Sequence, residues 1–425
     1  MKRDASIDNA CRQGNSALRG SWSGIATISA PREDIASTGS APKRLLFMIN
    51  DLAFMISHRL PVAQAALDAG YDVHIAAPKD RVSERRLAGS GFHLHRLGMQ
   101  RHNINPFQEL RSCWQIYRIY RRLKPDTVHL VTIKPVLYGG IIARLARVRA
   151  VVSAISGLGF AFSGNSRKSR IISLFVKPLY RFALGHRTQR VIFQNDHDLA
   201  TLASLGIGLT GKIEMIRGSG VDLDDFRPTP EPAGPVTIVV PSRLLRDKGI
   251  AEFVGAARTL KREGSTARFV VAGDAPVGNP SSIPQATLDA WKAEGMVEFW
   301  GYCSDMPDVL RQSHIVVLAS YYREGLPKAL IEAAACGRPV VTTDAPGCRD
   351  AVIAGTTGRL VPARDIPALA DAMRGLIDDK ATRLRMGIAG RELAEQAFSI
   401  DHVMRRHVEI YRNLSGGDES SGNAP

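Results

Sequence analysis

The chain has 425 residues, 44% hydrophobic and 23% charged; that is too long for one compact core, predicts two domains of roughly 150–200 residues, and excludes global disorder. Five cysteines (Cys11, Cys113, Cys303, Cys336, Cys348) form no CxxC pair, which reads as a reduced, cytosolic thiol set rather than a disulfide framework or a zinc site. The formal charge of +15 is uneven, since residues 43–217 hold 27 basic and 10 acidic groups and residues 218–425 hold 24 and 27; nucleic acid, anionic lipid and phosphate-bearing substrates are the partners to weigh.

Residues 1–42 are rich in Ser, Ala and Gly with scattered charges and no apolar core of a signal peptide, so a disordered leader is expected there. From Lys43, β-branched runs at 44–50, 72–77, 127–132, 150–153, 189–194 and 213–217 alternate with helix-length stretches, the first helix running through 60–69 to a stop at Gly70. A Pro-rich stretch at 228–235 precedes a second series at 236–241, 268–272, 297–300, 315–319 and 339–343. Amphipathic helices follow at about 365–378, 381–396 and 400–413. Such βαβ alternation predicts an α/β protein of two doubly wound domains: 43–217, a linker at 218–235, and 236–413, with a disordered tail at 414–425. The last helix is a candidate to cross back to the first domain. No apolar run reaches the length of a membrane span.

A ligand in the cleft between two such domains would lie at the carboxyl ends of the strands. No G-x-x-x-x-G-K-[ST] loop is present, and the first strand leads into Asn50, Asp51 and Leu52 rather than G-x-G-x-x-G, which argues against an ordinary dinucleotide site. After the strand at 315–319 comes Glu324-Gly325-Leu326-Pro327-Lys328, opening a helix with Pro327 expected at its first position. Amides at such a helix start suit phosphate, and Glu324 and Glu332 present a loop carboxylate and a helix carboxylate. Arg243 and Lys248 leave the first strand of the second domain on the same side, where fixed cations would neutralise a departing diphosphate. Gly273 and Asp274 form a third strand-end loop at that rim.

The set Pro241-Ser242-Arg243-Leu244-x-x-Asp247-Lys248-Gly249, then Val271-Ala272-Gly273-Asp274, then EGLPKALIEAAACGRPVV from Glu324 resembles the retaining glycosyltransferases of family four, over about residues 43–413. The resemblance implies a GT-B fold and a nucleotide-diphosphate sugar donor, UDP-sugar in preference to GDP-sugar. Arg243 and Lys248 are then expected to grip the donor diphosphate, Glu324 the transferred sugar and Glu332 the ribose hydroxyls. Gly325, Leu326 and Pro327 would wrap the phosphates with backbone amides, and Tyr302 with Cys303 would lie near the base. In the family's usual account the leaving phosphate side helps deprotonate the acceptor, which fits the absence of an obvious general base.

In the first domain, Ser57-His58-Arg59-Leu60-Pro61, the stretch from His129 to Pro135, and Gly157-Leu158-Gly159-Phe160 look like bacterial enzymes that build surface polysaccharide on polyprenyl-diphosphate carriers. Two departures stand out: the family's glycine pair after the first strand is missing, and the second position of its H-x-H is Val131. His129, Thr132 and Lys134 remain as contacts near the transferred sugar, with His129 equally readable as a core histidine; His58, Arg59 and Lys134 are the acceptor-side candidates. Asp196-x-Asp198 and Asp222-x-Asp224 have the form of the metal-binding D-x-D pair; helix capping and a hinge are the competing readings, and no metal or other cofactor is expected.

The basic half adds an amphipathic segment at 165–187, with Arg167, Lys168, Arg170 and Phe175, and a second cluster at 109–124 with Trp114, Tyr117, Arg118, Arg121 and Arg122. Such segments suit an anionic membrane surface, with an ordinary packed helix as the competing reading. The expected enzyme is peripheral on the inner face of the plasma membrane, acting on a polyprenyl-diphosphate-linked glycan in exopolysaccharide, capsule or O-antigen synthesis. Nucleic acid is not expected as a partner, because no zinc finger, RNP box or helix-turn-helix accompanies the charge. A nucleotide-sugar epimerase of the same fold and a non-catalytic sugar-nucleotide or lipid-binding subunit are the alternatives.

Overall fold

The structure is a computed structural model that describes residues 41–99, 105–157, 177–204, 206–276, 278–322 and 324–415. The expected leader up to residue 40, the tail from residue 416, and the segment holding Arg167, Lys168, Arg170 and Phe175 lie outside the described residues.

The first sheet has seven strands: β1 (Arg44–Met48), β2 (Asp72–Ala77), β3 (His93–Arg96), β4 (Thr127–Val131), β5 (Ala150–Ile155), β6 (Gln189–Phe193) and β7 (Ile213–Met215). They pair in the order β3-β2-β1-β4-β5-β6-β7, all parallel. The second sheet follows the same plan with β8 (Thr237–Pro241), β9 (Arg268–Ala272), β10 (Glu298–Gly301), β11 (Ile315–Leu318), β12 (Val340–Thr343) and β13 (Gly358–Val361), ordered β10-β9-β8-β11-β12-β13. β4, β5, β8, β11 and β12 are buried along their whole length, because helices cover both faces, and this is why they read as unbroken apolar runs. Strands β3 and β13 were not expected from sequence: the first is a mostly exposed edge of sequence HLHR, without the alternation that marks a half-buried strand.

Among the described residues, the helices that frame the sheets include α1 (Leu52–His58), α2 (Leu60–Asp68), α3 (Arg81–Leu87), α4 (Pro106–Leu123), α5 (Gly140–Leu145), α6 (Asp196–Ser204), α7 (Ile250–Arg262), α8 (Gln285–Glu294), α9 (Met306–Arg311), α10 (Lys328–Ala335), α11 (Ile366–Asp378), α12 (Lys380–Leu393) and α13 (Ile400–Ser415). The helix expected at 60–69 is α2, and an unexpected one, α1, precedes it, the two being broken at Arg59 (φ −131°, ψ −9°). Pro61 has no N–H to continue the ladder from α1, so the chain restarts there.

In each sheet the chain winds outward from the central strand, then returns to the other side, so β1/β4 and β8/β11 are the switch points where the carboxyl ends leave a crevice. The two sheets are joined twice. The outgoing crossing at residues 218–221 and the returning one at 398–400 lie side by side: Val221 N–H donates to Phe398 O at 2.8 Å, and Ile400 N–H donates to Val221 O at 2.9 Å. The Pro-rich stretch after them is fastened to the second domain. Arg338 donates to the carbonyls of Thr229 and Leu310 at 3.0 and 3.1 Å, and the buried pair Arg383–Glu231 closes at 2.7 Å. Helix α13 packs on the first domain, where Val403, Ile410, Tyr411 and Leu414 join Phe47, Val62 and Ala66 in one core.

Candidate active site

The carboxyl ends of β8 and β11 bring together Lys248 and Glu324, two of the residues expected on the donor side. Lys248 follows β8 in a short 3-10 turn (Arg246–Lys248) and forms an ion pair with Glu324, and the Ser320 hydroxyl donates to Glu324 Oε1 at 3.0 Å. Both charged side chains are mostly shielded from water, which strengthens the pair relative to one on the surface. Arg243 is exposed on the same strand-end loop, and the Asp274 carbonyl, beyond β9 and Gly273, accepts from the Leu244 N–H at 3.0 Å. Tyr302 lies just beyond β10 with 65% exposure.

Glu332 sits inside α10 and is 7% exposed; burial raises its pKa, and Lys328, 3.3 Å away, opposes that shift. Helix α10 begins at Lys328, with Pro327 as its N-cap rather than its first residue and no side chain capping the first turn. Pro327 carries no N–H, so of the three loop residues expected to supply amides only Gly325 and Leu326 have one; all three are buried.

This loop touches the first domain. Asn195, fully buried at the carboxyl end of β6, donates from Nδ2 to Gly325 O at 2.9 Å and Glu324 O at 3.3 Å, while Lys328 donates to Ser57 O at 3.2 Å. At Gly325 a β-carbon would collide with Gln194 Oε1 and lie 3.1 Å from the Ser156 carbonyl carbon. A larger residue there would have to push the Gln194 side chain aside and move the Ser156 backbone by a few tenths of an ångström.

On the facing rim, His58 stacks on Phe54 at 4.0 Å and its Nδ1 lies 2.7 Å from Ser57 Oγ. Burial, followed by the charges of Lys328, Arg59, Arg243 and Lys248, pushes its pKa down to about 3. Arg59 is buried and within 3.4 Å of Ser156 Oγ, and burial pushes its pKa down to about 10. Thr132, in the left-handed region at φ 75°, donates to Asn50 Oδ1 at 2.9 Å; a β-branched residue there is strained, a condition that clusters at functional sites. Lys134 pairs with Glu109 of α4 at 2.7 Å.

His129 is corrected by the structure. It is fully buried in β4, stacked between Phe47 (5.0 Å) and His407 (5.5 Å), with Nδ1 2.5 Å from the Tyr411 hydroxyl. A side chain sealed under α13 cannot touch a sugar, so His129 is a core residue. The two D-x-D pairs have local roles as well. Asn195 Oδ1 caps α6 by accepting from Asp198 N–H at 2.8 Å, and Asp222 Oδ1 accepts from the N–H groups of Asp224 and Asp225. Among the described residues no three His, Cys, Asp or Glu side chains group as metal ligands. Sequence reasoning missed Ser320, Asn195 and Asn50; the N-cap spacing of Asn195 before Asp198 was the available signal for one of them.

This arrangement has known relatives. The family model described as "Glycosyl transferases group 1" matches residues 222–393, and the one described as "Glycosyl transferase 4-like" matches residues 44–195. The chain is 25% identical over 384 residues to the N,N'-diacetylbacillosaminyl-diphospho-undecaprenol alpha-1,3-N-acetylgalactosaminyltransferase of Campylobacter jejuni, covering 87% of this chain and 98% of that protein. It is 28% identical over 295 residues to the UDP-Gal:alpha-D-GlcNAc-diphosphoundecaprenol alpha-1,3-galactosyltransferase of Escherichia coli, covering 66% and 74%. Among solved structures, a glycosyltransferase from Rickettsia africae superposes with a TM-score of 0.71 at 20% identity, over 90% of this chain and all of that one, and the Anabaena protein HepE in complex with UDP with 0.68 at 18%, over 87% and all. Matched in both domains, the chain belongs to the group 1 glycosyltransferases with a family-4-like first domain, and it is an enzyme of the GT-B fold.

Proposed function

We propose that the chain moves a sugar from a nucleotide-diphosphate donor, UDP-linked in preference to GDP-linked, to a polyprenyl-diphosphate-linked glycan, retaining the anomeric configuration. The observation that supports the donor half is the Lys248–Glu324 pair at the carboxyl ends of β8 and β11, with exposed Arg243 on the same strand-end loop as Lys248 and buried Glu332 paired to Lys328 in the helix that follows Glu324. The acceptor half is supported by the activities for which the Campylobacter and Escherichia coli relatives are named, both on diphospho-undecaprenol-linked sugars. The reading extends to surface polysaccharide synthesis at the inner face of the plasma membrane, reached peripherally.

Arg243 and Lys248 neutralise the diphosphate, Glu324 holds hydroxyls of the transferred sugar, and Glu332 accepts from the ribose hydroxyls. The bond from the anomeric carbon to the phosphate oxygen breaks, the acceptor oxygen bonds to that carbon on the same face, and the acceptor proton passes to the departing diphosphate. Positive charge fixed in advance where negative charge develops is worth more than mobile counterions. Lys248 must shift part of its contact from Glu324 to phosphate as donor binds. No metal is needed for that neutralisation.

The test is transfer by the purified full chain to a short-chain prenyl-diphosphate sugar with chelator present, screening UDP- and GDP-sugars and reading nucleotide release and anomeric couplings. Release of UDP with an α-linked product from an α-linked donor is expected. A β-linked product refutes retention, and activity lost to chelator and restored by Mg²⁺ or Mn²⁺ refutes metal independence.

A further inference from the structure

Helix α4 carries an apolar stripe on its open side. It buries Ser112, Ile116 and Tyr120 against the first domain, yet Phe107, Leu110, Trp114 and Tyr117 are 82%, 69%, 57% and 40% exposed. Their spacing of three, four and three residues sets them in a line along one face. Single exposed apolar residues are ordinary; four large ones in a row, three of them aromatic, mark an interaction site.

The charges beside the stripe select the partner. Arg111, Arg118, Arg121, Arg122 and Lys124 are all exposed on or at the end of this helix, and Arg118 lies over the Trp114 ring at 4.6 Å. Glu109, the one acid of the helix, is neutralised by Lys134. A second copy docked on the stripe would bring two sets of cations together. Nucleic acid would satisfy the arginines and could stack bases on the aromatics, but it offers no apolar phase for Leu110 and Phe107, the most exposed of the stripe. An anionic bilayer answers both, with aromatic and leucine side chains in the interfacial layer and cations among the phosphates. Among the described residues no helix is long and apolar enough to cross a membrane, so any contact of the described part is of this lateral kind.

Position agrees with this. Lys134 lies just beyond β4, at the carboxyl end of the sheet, so the Lys134–Glu109 pair fixes the start of α4 beside the cleft. We infer that the Phe107, Leu110, Trp114, Tyr117 face of α4 is the surface that docks on an anionic phospholipid membrane and turns the cleft toward its lipid-linked substrate. The inference deepens the proposed acceptor and rests on that reading for its orientation.

The experiment is flotation of the full chain with vesicles of roughly one-third phosphatidylglycerol in phosphatidylcholine, against phosphatidylcholine alone, with brominated acyl chains to quench tryptophan emission. The wild type is expected to float only with the anionic vesicles, less at high salt, and to be quenched. The triple variant Phe107→Ser, Leu110→Ser, Trp114→Ser and the double variant Arg111→Glu, Arg118→Glu should each lose about tenfold in bound fraction with unfolding temperature unchanged. Undiminished binding of the triple variant overturns the inference, as does wild-type protein that ignores anionic vesicles but forms a dimer the triple variant abolishes. Transfer to a water-soluble acceptor is measured in parallel. Vesicle binding through the stripe without transfer to any acceptor sinks the functional reading and leaves the surface standing.

Discussion

At the scale of single residues, the site divides into groups that are poised and groups that are sealed. Arg243 and Lys248 face the strand-end crevice, and replacing either with Ala should remove about 3–4 kcal/mol of transition-state stabilisation, or roughly 100- to 1000-fold in kcat/KM. Glu332→Ala should raise KM for the donor more than it lowers kcat, since a ribose contact is held equally in ground and transition states. Steady-state kinetics on folded variants checks both, and near-normal turnover of Arg243→Ala removes it from the donor site. His129 stands on the other side of the division. His129→Ala should cost on the order of 2–4 kcal/mol of stability through a cavity beside Phe47 and an abandoned Tyr411 hydroxyl, while turnover per folded molecule stays close to wild type.

The buried histidines also set a pH response. His407, pushed down to about 3 by burial and by the charge of Arg59, resists protonation when folded but accepts it when unfolded at the ordinary value of 6.5. Its contribution to stability is therefore complete above pH 6.5 and is lost on acidification from there toward pH 3. The slope is about 1.4 kcal/mol per pH unit for each such group. His407→Phe should flatten the acid limb of a stability-against-pH curve by that amount; an unchanged limb would place the loss elsewhere.

At the scale of elements, the loop before α10 is held between two sheets. Asn195 clamps its carbonyls from β6, and Gly325 is pressed against Ser156 and Gln194. Gly325→Ala should force the Gln194 side chain aside and shift the loop by a few tenths of an ångström from Ser156, moving the amides that precede α10. A higher donor KM with the fold intact is the expected signature in steady-state kinetics; unchanged kinetics would show that the seam yields freely. The donor loop was legible in sequence because its chemistry is local: Glu324 and Glu332 flank one helix start. Asn195 was not, because its partners lie about 130 residues away and no periodicity links β6 to that loop.

At the scale of the molecule, two domains of opposite charge meet across a cleft and are joined by two adjacent crossings at residues 218–221 and 398–400. The return of α13 to the first domain makes that domain's core discontinuous in sequence. Deleting residues 400–425 should therefore uncover Val403's partners, Tyr71 and the face of α2, and lower the unfolding temperature of the whole chain. A truncated protein that melts as wild type would show that α13 is dispensable.

The sequence by itself determined the doubly wound alternation, since fully buried parallel strands must be apolar throughout, and it determined that Arg243, Lys248, Glu324 and Glu332 follow strand ends, whose direction the βαβ rule dictates. Tertiary structure alone decided what covers each face. A pattern of 2.0 or 3.6 residues says that a side is apolar but not which distant segment lies on it. So His129, one step from a plausible sugar contact, is closed in by Tyr411 from 282 positions away. The Pro-rich stretch, a linker by composition, is pinned by Arg338 and Arg383. The aromatic line of α4, readable as ordinary core, is left in the open because α4 turns Ile116 and Tyr120 inward and, among the described residues, nothing covers its other side.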